Sequence, residues 1–277
     1  MPLPILDSNL RVGWEPDTPS SDSILRAFLT NWSSLTETEI AAHGGQSLIR
    51  DDLAAFDVGR PAGFANIILF LTPFFPEGTD EITTALDDFF GFTNSDKTGE
   101  VYIFSPWLTP DLRPAGWNLM GHPPIMLRAA GGELPTIPNG LRIEEVRTEA
   151  SLHAFEQVVI RGFPMEELAT LSPGSTFATS ILDDERMKLW LGWEGEQPVS
   201  IGLTRVEEGI NHVHIIATVP EARRRGYGAA LTWQATLADP NLPSVLIASD
   251  DGRPVYEKMG YLTLFRFTGW WRARPNS

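Results

Sequence analysis

The pattern of apolar positions is regular in the second half of the chain and less regular in the first. In the second half, short apolar or alternating runs bounded by turn residues predict strands. These predicted strands cover residues 141–146, 187–193, 198–206, 211–219, 244–248 and 262–268. Helical spacing predicts helices from Thr148, as N-cap, to about Gly162, over residues 227–238 and over residues 249–260. A short helix and loop are predicted over residues 163–175, where two prolines and a glycine interrupt the pattern.

The first half gives fewer and shorter signals. Helices are predicted over residues 21–32 and 79–90, and strands over residues 66–71, 101–104 and 124–127. Residues 129–140 are rich in Gly and Pro and almost uncharged, which is typical of a linker. We therefore predict two domains, residues 1–137 and residues 138–277.

Composition narrows the class of protein. The 277 residues are 42% hydrophobic, enough for sizeable cores, and contain no cysteine. A disulfide framework, a covalent thiol intermediate and cysteine metal ligands are thus excluded. Residues 1–137 carry a net charge of −11 and residues 138–277 a net charge of −4, which does not favour nucleic acid as a partner. We see no signal peptide and no apolar run of membrane-spanning length, and expect a cytoplasmic protein that does not bind membranes.

The most informative segment lies between the predicted strand 211–219 and the predicted helix 227–238. Three arginines, Arg223, Arg224 and Arg225, precede Gly226 and Gly228 there. The amides at a helix N-terminus have no intrahelical acceptors and attract anions, and glycines let a phosphate approach the backbone. The segment predicts a pyrophosphate-binding turn; the alternative is a surface turn with solvated arginines. It lacks the third glycine of a dinucleotide fingerprint, since Leu231 stands there, and the Gly-Lys-Ser/Thr ending of a P-loop.

The spacing Arg223-x-x-Gly226-x-Gly228 resembles motif A of the GNAT acyltransferase superfamily, Gln/Arg-x-x-Gly-x-Gly/Ala. The run from Ser249 through Tyr256 to Gly260 resembles motif B of the same family. Two positions depart from that pattern, with Ser249 in place of the usual Asn and Gly252 in place of the usual Ala. The resemblance covers about residues 140–272. The end of the first half, residues 111–127, resembles the end of a degenerate GNAT repeat, although an unrelated α+β domain is the alternative.

The resemblance implies an α/β fold with a mixed sheet of the α+β type and a GNAT domain in the C-terminal half. It implies acetyl-CoA as co-substrate and direct transfer of the acetyl group to a primary amine of a small molecule, with no metal. The residues that it places against CoA are Ile216, Ala217, Thr218, Val219, Arg223, Arg224, Arg225, Gly226, Tyr227, Gly228, Ala229, Ser249 and Tyr256. Tyr256 stands where many members carry the tyrosine that protonates the departing thiolate; packing of its ring in the core is the alternative.

The general base is the least defined role. His212 and His214 lie two apart on one predicted strand and therefore share a face, and His212 stands where some members carry a catalytic Glu. Histidine titrates near neutral pH, so we name both as candidate bases. The alternatives are imidazoles that cover the sheet, or a two-histidine metal site without an identified third ligand.

Other functions stay open at this point. The donor could be another acyl-CoA, the acceptor could be a hydroxyl, or the chain could bind CoA for regulation without turnover. We expect a monomer or a homodimer. Glu166 and Glu167 could attract a cationic amine. Trp270 and Trp271 are expected to pack against the N-terminal domain or a dimer partner, with stacking on a substrate as the alternative.

Overall fold

The computed structural model describes residues 23–73, 79–93, 96–163, 171–172 and 174–275. Within these residues, the first half contains two α-helices and six strands. They are α1 (Ile24–Ala42), β1 (Gln46–Ile49), β2 (Leu53–Asp57), β3 (Ile67–Phe70), α2 (Thr79–Phe90), β4 (Glu100–Ser105), β5 (Asn118–Gly121) and β6 (Pro124–Arg128). The described part of the second half contains three α-helices and seven strands. They are β7 (Leu141–Glu145), α3 (Glu149–Gly162), β8 (Met187–Glu194), β9 (Gln197–Glu207), β10 (Ile210–Thr218), α4 (Tyr227–Thr236), β11 (Ser244–Ile247), α5 (Arg253–Lys258), β12 (Leu262–Arg266) and β13 (Thr268–Ala273).

Two mixed sheets share their strands across the predicted domain boundary. The seven-stranded sheet has the order β12-β6-β11-β10-β9-β8-β7, and the six-stranded sheet has the order β1-β2-β3-β4-β13-β5. Strand β6 from the first half thus pairs antiparallel with β11 and β12 of the second half. In exchange, the C-terminal strand β13 lies between β4 and β5. The linker at residues 129–140 divides the chain, but it does not divide the sheets.

The predicted order of elements in the second half is present from β7 to β12. The N-cap predicted at Thr148 is confirmed: its hydroxyl accepts from the Ser151 amide at 3.2 Å, and the Ser151 hydroxyl accepts from the Thr148 amide at 3.1 Å. A capping box of this kind stabilises a helix by about 1 kcal/mol. The helix and loop predicted over residues 163–175, including Glu166 and Glu167, lie largely outside the described residues.

Several elements of the first half differ from the prediction. Helix α1 extends to Ala42, ten residues beyond its predicted end, because its later turns carry two buried residues. Leu35 packs in the core of the second half, and Ile40 packs in a cluster with residues of β2 and β3. Strands β1, β2 and β5 were not predicted, nor was β13 as a separate strand. Strand β2 is buried on both faces and so lacks alternation, while β5 is an exposed edge strand. Trp270 on β13 is buried in the core beside the six-stranded sheet, as expected for a residue that packs against the N-terminal domain.

Helix α1 connects the two halves. It packs on β9 and β10 of the seven-stranded sheet and also on β2. The Asn31 side chain donates to the carbonyls of Arg205 and Glu207 at 3.3 and 3.1 Å. Helix α3 also packs on β9 and β10. Helix α1 therefore forms part of the cover over the strand that precedes the predicted phosphate turn.

Candidate active site

The N-terminus of α4 is the turn that the sequence predicted for phosphate. Gly226 is the N-cap residue with φ of +83°, and no side chain caps the helix. A left-handed φ favours glycine at this position. A Cβ on Gly228 would lie 3.1 Å from Thr218 Oγ1, so this position is also narrow. The amides of the first turn, including those of Gly228 and Ala229, are thus available to an anion.

The three arginines of the turn have different roles. The Arg223 guanidinium donates to the Thr218 carbonyl at 3.1 Å and to the Gly162 carbonyl at 2.9 Å, so it ties β10 to α3. Arg225 forms a two-pronged ion pair with Glu194 at 2.7 and 2.8 Å. Arg224 is exposed with φ of +63°, and its side chain has no hydrogen-bond or ion-pair partner among the described residues. The sequence pattern did not distinguish the three arginines. In the structure, Arg224 is the one of the three whose guanidinium is available to bind a phosphate.

Tyr227 faces inward. Its side chain is buried, and its hydroxyl donates to Glu194 at 2.9 Å, beside Arg225. Only its backbone can therefore face a phosphate. The Glu194 carboxylate, on β8, accepts hydrogen bonds from Arg225 and Tyr227, the residues on either side of Gly226. These bonds attach the turn to the sheet.

Strands β10 and β11 separate beside this turn. They pair in parallel only at Asn211 with Ser244 and at His212 with Val245. A bulge between Val213 and Ile215 interrupts the pairing of β10 with β9.

Two amides of β10 face the resulting opening. The Val219 amide donates to Val199 on β9 at 3.0 Å. Strand alternation then directs the amides of Thr218 and Ile216 to the opposite edge, where β11 has moved away. Ala217, between them, is buried against α3 with its amide toward β9. The opening therefore offers backbone donors to a ligand that enters between the strands.

The second motif forms the short helix α5. The Ser249 hydroxyl accepts from the Gly252 amide at 3.1 Å and so helps to start the helix. A Cβ on Gly252 would lie 2.9 Å from Cε2 and 3.1 Å from the hydroxyl oxygen of Tyr256. The tyrosine ring thus occupies the space of the missing methyl group. This contact explains why glycine stands where the family pattern has alanine.

Tyr256 packs beside Tyr261, with ring centroids 5.9 Å apart. Burial raises the pKa of Tyr256 to about 12, so its phenol is protonated at neutral pH and can donate to a thiolate. Burial also raises the pKa of Tyr261, whose hydroxyl lies 2.7 Å from the Thr236 hydroxyl. Tyr261 thus belongs to the core beneath α5.

His212 and His214 lie on one face of β10, with ring centroids 5.1 Å apart. His212 is 2% exposed, and its Nδ1 atom lies 3.0 Å from Asn31 Oδ1. Burial, with smaller contributions from the charges of His214 and Arg205, holds the His212 pKa well below its usual value. His212 is therefore a neutral core residue that joins β10 to α1.

His214 lines a cavity between α1, the loop at residues 58–65 and the bulge of β10. Burial lowers its pKa to about 4, which makes its imidazole a weak base at neutral pH. The same cavity is lined by Glu39, on the last turns of α1. Glu39 was not predicted as a site residue, because only the packing of α1 on β10 brings it to this cavity. The clue in the sequence was an acid on the apolar face of a helix, four residues after Leu35.

The described part of the chain contains no cluster of three or more His, Cys, Asp or Glu side chains arranged for a metal ion. Among the described helices, none is long and apolar enough to cross a membrane.

Comparison with known proteins agrees with this architecture. Residues 154–266 match the family model of the acetyltransferase (GNAT) domain. A GCN5-related N-acetyltransferase from Kribbella flavida superposes with a TM-score of 0.59, covering 88% of this chain and 96% of its own at 16% identity. A functionally unknown conserved protein from Staphylococcus epidermidis gives a TM-score of 0.61, covering 83% and 94% at 13% identity. A GNAT-family acetyltransferase structure from Novosphingobium aromaticivorans gives 0.52, covering 87% and 94% at 15% identity.

No curated protein sequence matches the chain. The structural likenesses concern the fold and extend over both halves of the chain. Residues 154–266 therefore match a GNAT acetyltransferase domain, and the chain has a mixed α/β fold of the GNAT type.

Proposed function

We propose that the protein transfers an acetyl group from acetyl-CoA to the primary amine of a small molecule by direct transfer. One observation carries this proposal: the uncapped N-terminus of α4 lies at the end of a strand that has separated from its parallel neighbour. The uncapped turn suits the pyrophosphate of CoA. The opening between β10 and β11 suits the pantetheine arm, which connects the pyrophosphate to the thioester.

In this proposal the amides of Gly228 and Ala229, with the Arg224 guanidinium, hold the pyrophosphate. The amides of Ile216 and Thr218 bind the arm of CoA, and the donor nearest the thioester carbonyl stabilises the oxyanion that forms there. Tyr256 donates its proton to the thiolate as the carbon–sulfur bond breaks. His212 has a positioning role through Asn31 and takes no part in proton transfer.

We also propose that residues 1–137 are a degenerate GNAT-like domain without a CoA site. Its role is to supply β6 to the catalytic sheet and α1 as a cover. The exchange of β6 and β13 between the sheets supports this assignment, since each half then completes the fold of the other.

Calorimetric titration with acetyl-CoA, with CoA for comparison, tests the cofactor. We expect both to bind, and Gly228→Trp to abolish binding because its side chain meets Thr218 and fills the turn. Glu196→Trp, in an exposed turn, adds the same side chain elsewhere and should bind normally. Thermal melting of each variant shows whether it is folded. A folded Gly228→Trp variant that binds acetyl-CoA with unchanged affinity would refute the assignment of the turn.

A further inference from the structure

The cavity beside His214 lies between the two halves of the chain. Helix α1 presents one face to it, through Leu35, Glu39, Ile40 and His43. The volume of the cavity is about 80 Å³, measured as the space that the centres of water-sized molecules can occupy. By the same measure one water molecule needs about 10–15 Å³, so the cavity admits a compact ligand. Small-molecule sites in proteins are mostly apolar, as this cavity is.

Most of the lining is apolar and comes from six different segments. The apolar side chains of the wall include Val58, Phe64, Val159, Phe163, Phe177 and Ile215. Ile215 belongs to the bulge of β10, immediately before the amide of Ile216 that faces the opening between the strands. The cavity therefore approaches the proposed thioester position from the side of α1.

Two polar groups of the wall have unmet hydrogen-bonding capacity. The Thr176 hydroxyl is buried, and it has no hydrogen-bond partner in the structure. For the Glu39 carboxylate, no hydrogen bond or ion pair is found among the described residues. A buried hydroxyl without a partner is costly, and a ligand that bonds to it removes that cost.

We propose that this cavity is the acceptor site, that it takes a compact primary amine with an apolar body, and that the Glu39 carboxylate receives the amino group. The inference rests on the proposed acetyl transfer, and it adds the class of acceptor and the base. The apolar wall contacts the body of the amine, and the Thr176 hydroxyl oxygen accepts a hydrogen bond from the amino group. The base is thus contributed by the domain that carries no CoA motif.

The acceptor enters as an ammonium ion, and Glu39 takes one proton from it to leave the neutral amine. The nitrogen attacks the thioester carbonyl, forming the carbon–nitrogen bond, and the carbon–sulfur bond breaks. The second proton passes from the nitrogen to solvent as Tyr256 gives its own proton to the sulfur, and the tyrosinate then takes a proton back from solvent. Glu39 then releases its proton to solvent, so the products are the amide, CoA and one proton.

The electrostatics of the cavity favour Glu39 over His214 as the base. Burial raises the pKa of Glu39 to about 8, with Asp184 and Glu156 adding to the rise and Arg205 opposing it. A carboxylate with a pKa near the working pH is a stronger base than an imidazole with a pKa of about 4.

The other ionisable groups of the wall are Arg60 and His43. Arg60 donates to the carbonyls of Pro61 and Ser175 at 3.3 and 2.9 Å, so its guanidinium holds two segments of the cavity wall together. The His43 Nδ1 atom lies 2.8 Å from the Glu39 carbonyl, within the same helix turn.

Thiol release from acetyl-CoA tests the acceptor class. The probes are 2-phenylethylamine and 3-methylbutylamine, compared with phenylalanine, spermidine and kanamycin. We expect at least tenfold higher kcat/KM for the two apolar monoamines. Acetyl-CoA binding measured in parallel separates two failures. Binding without turnover of the apolar amines, or a preference for phenylalanine, spermidine or kanamycin, overturns this inference alone, whereas absence of binding overturns the proposed function.

Glu39→Gln tests the base. We expect kcat/KM for the amine to fall at least 100-fold, the affinity for acetyl-CoA to stay unchanged, and the rise in rate toward pH 8 to disappear. Glu37→Gln changes an exposed acid on the same helix and should behave as the unaltered protein. Thr176→Val should raise KM for the amine about 5- to 10-fold with little change in kcat. An unaltered pH profile in Glu39→Gln, or an unchanged KM in Thr176→Val, would overturn the assignment.

Discussion

The Nδ1 atom of His212 lies 3.0 Å from Oδ1 of Asn31, and this contact joins the strand before the phosphate turn to the first helix. The Asn31 amide group also donates to two carbonyls of β9, so one side chain binds adjacent strands of the seven-stranded sheet. A histidine that the sequence offers as a base is thus part of the interface between the halves.

Asn31→Leu should lower the free energy of unfolding by about 2–4 kcal/mol, because it leaves the imidazole and two carbonyls without their partner in a buried place. Chemical denaturation measures the change. Asn139→Ala, at an exposed position of the linker, is the matched control and should change stability by less than about 0.5 kcal/mol. Equal stability of Asn31→Leu and the unaltered protein would contradict the structural role of this contact.

Arg223 and Arg224 should separate stability from binding. Arg224→Ala is expected to weaken CoA binding about 3- to 10-fold, with a smaller effect at high salt, and to leave the melting temperature unchanged. Arg223→Ala is expected to lower the free energy of unfolding by about 1 kcal/mol through the loss of two hydrogen bonds to carbonyls. Calorimetry and thermal melting check both. The reverse pattern would show that Arg223 is the phosphate ligand.

Gly252→Ala should displace the ring of Tyr256, since the new methyl group would lie 2.9 Å from that ring. We expect turnover to fall about tenfold with little loss of CoA affinity, similar to the effect of Tyr256→Phe. Tyr261→Phe is the control: it removes a neighbouring hydroxyl and should lower stability rather than the rate of the chemical step. Turnover of Tyr256→Phe at the rate of the unaltered enzyme would exclude the tyrosine as the acid.

Glu39 should make stability depend on pH. Its pKa is about 8 in the folded protein against 4.5 ordinarily, so the folded state holds a proton that the unfolded state loses between these values. The stabilisation is complete below pH 4.5 and is lost as the pH rises through 8, with a slope of at most about 1.4 kcal/mol per pH unit.

Glu39→Gln has no such proton, so its stability relative to the unaltered protein should increase from pH 5 to pH 8. Urea denaturation at these pH values measures the difference, with Glu37→Gln as the matched control. Parallel stability curves for Glu39→Gln and the unaltered protein would contradict the buried position of this carboxyl.

Residues 138–277 should not fold alone, because β6 lies between β11 and β12 and belongs to the other half of the chain. The fragment would also leave β13 without its two neighbours. We expect little dispersion in its NMR spectrum, and recovery of structure when residues 1–137 are co-expressed and co-purified. A cooperative thermal transition of the fragment by itself would show that the exchanged strands are dispensable.

The sequence by itself determined the described helices and strands from β7 to β12 and the turn between β10 and α4. Strand alternation, the Thr148 cap and the two glycines are local signals, and each depends on residues only a few positions apart. The sequence could not distinguish Arg223 from Arg224. Arg223 differs by its hydrogen bonds to the carbonyls of Thr218 and Gly162, and these two carbonyls become neighbours only after β10 and α3 pack together.

Tertiary structure alone decided the exchange of β6 and β13, the burial of His212 and the position of Glu39 at the cavity. Strand partners and helix packing bring together residues more than a hundred positions apart, as with Asn31 and His212. No local sequence pattern predicts such contacts, because the apolar pattern of a strand is compatible with either sheet and does not specify its neighbours.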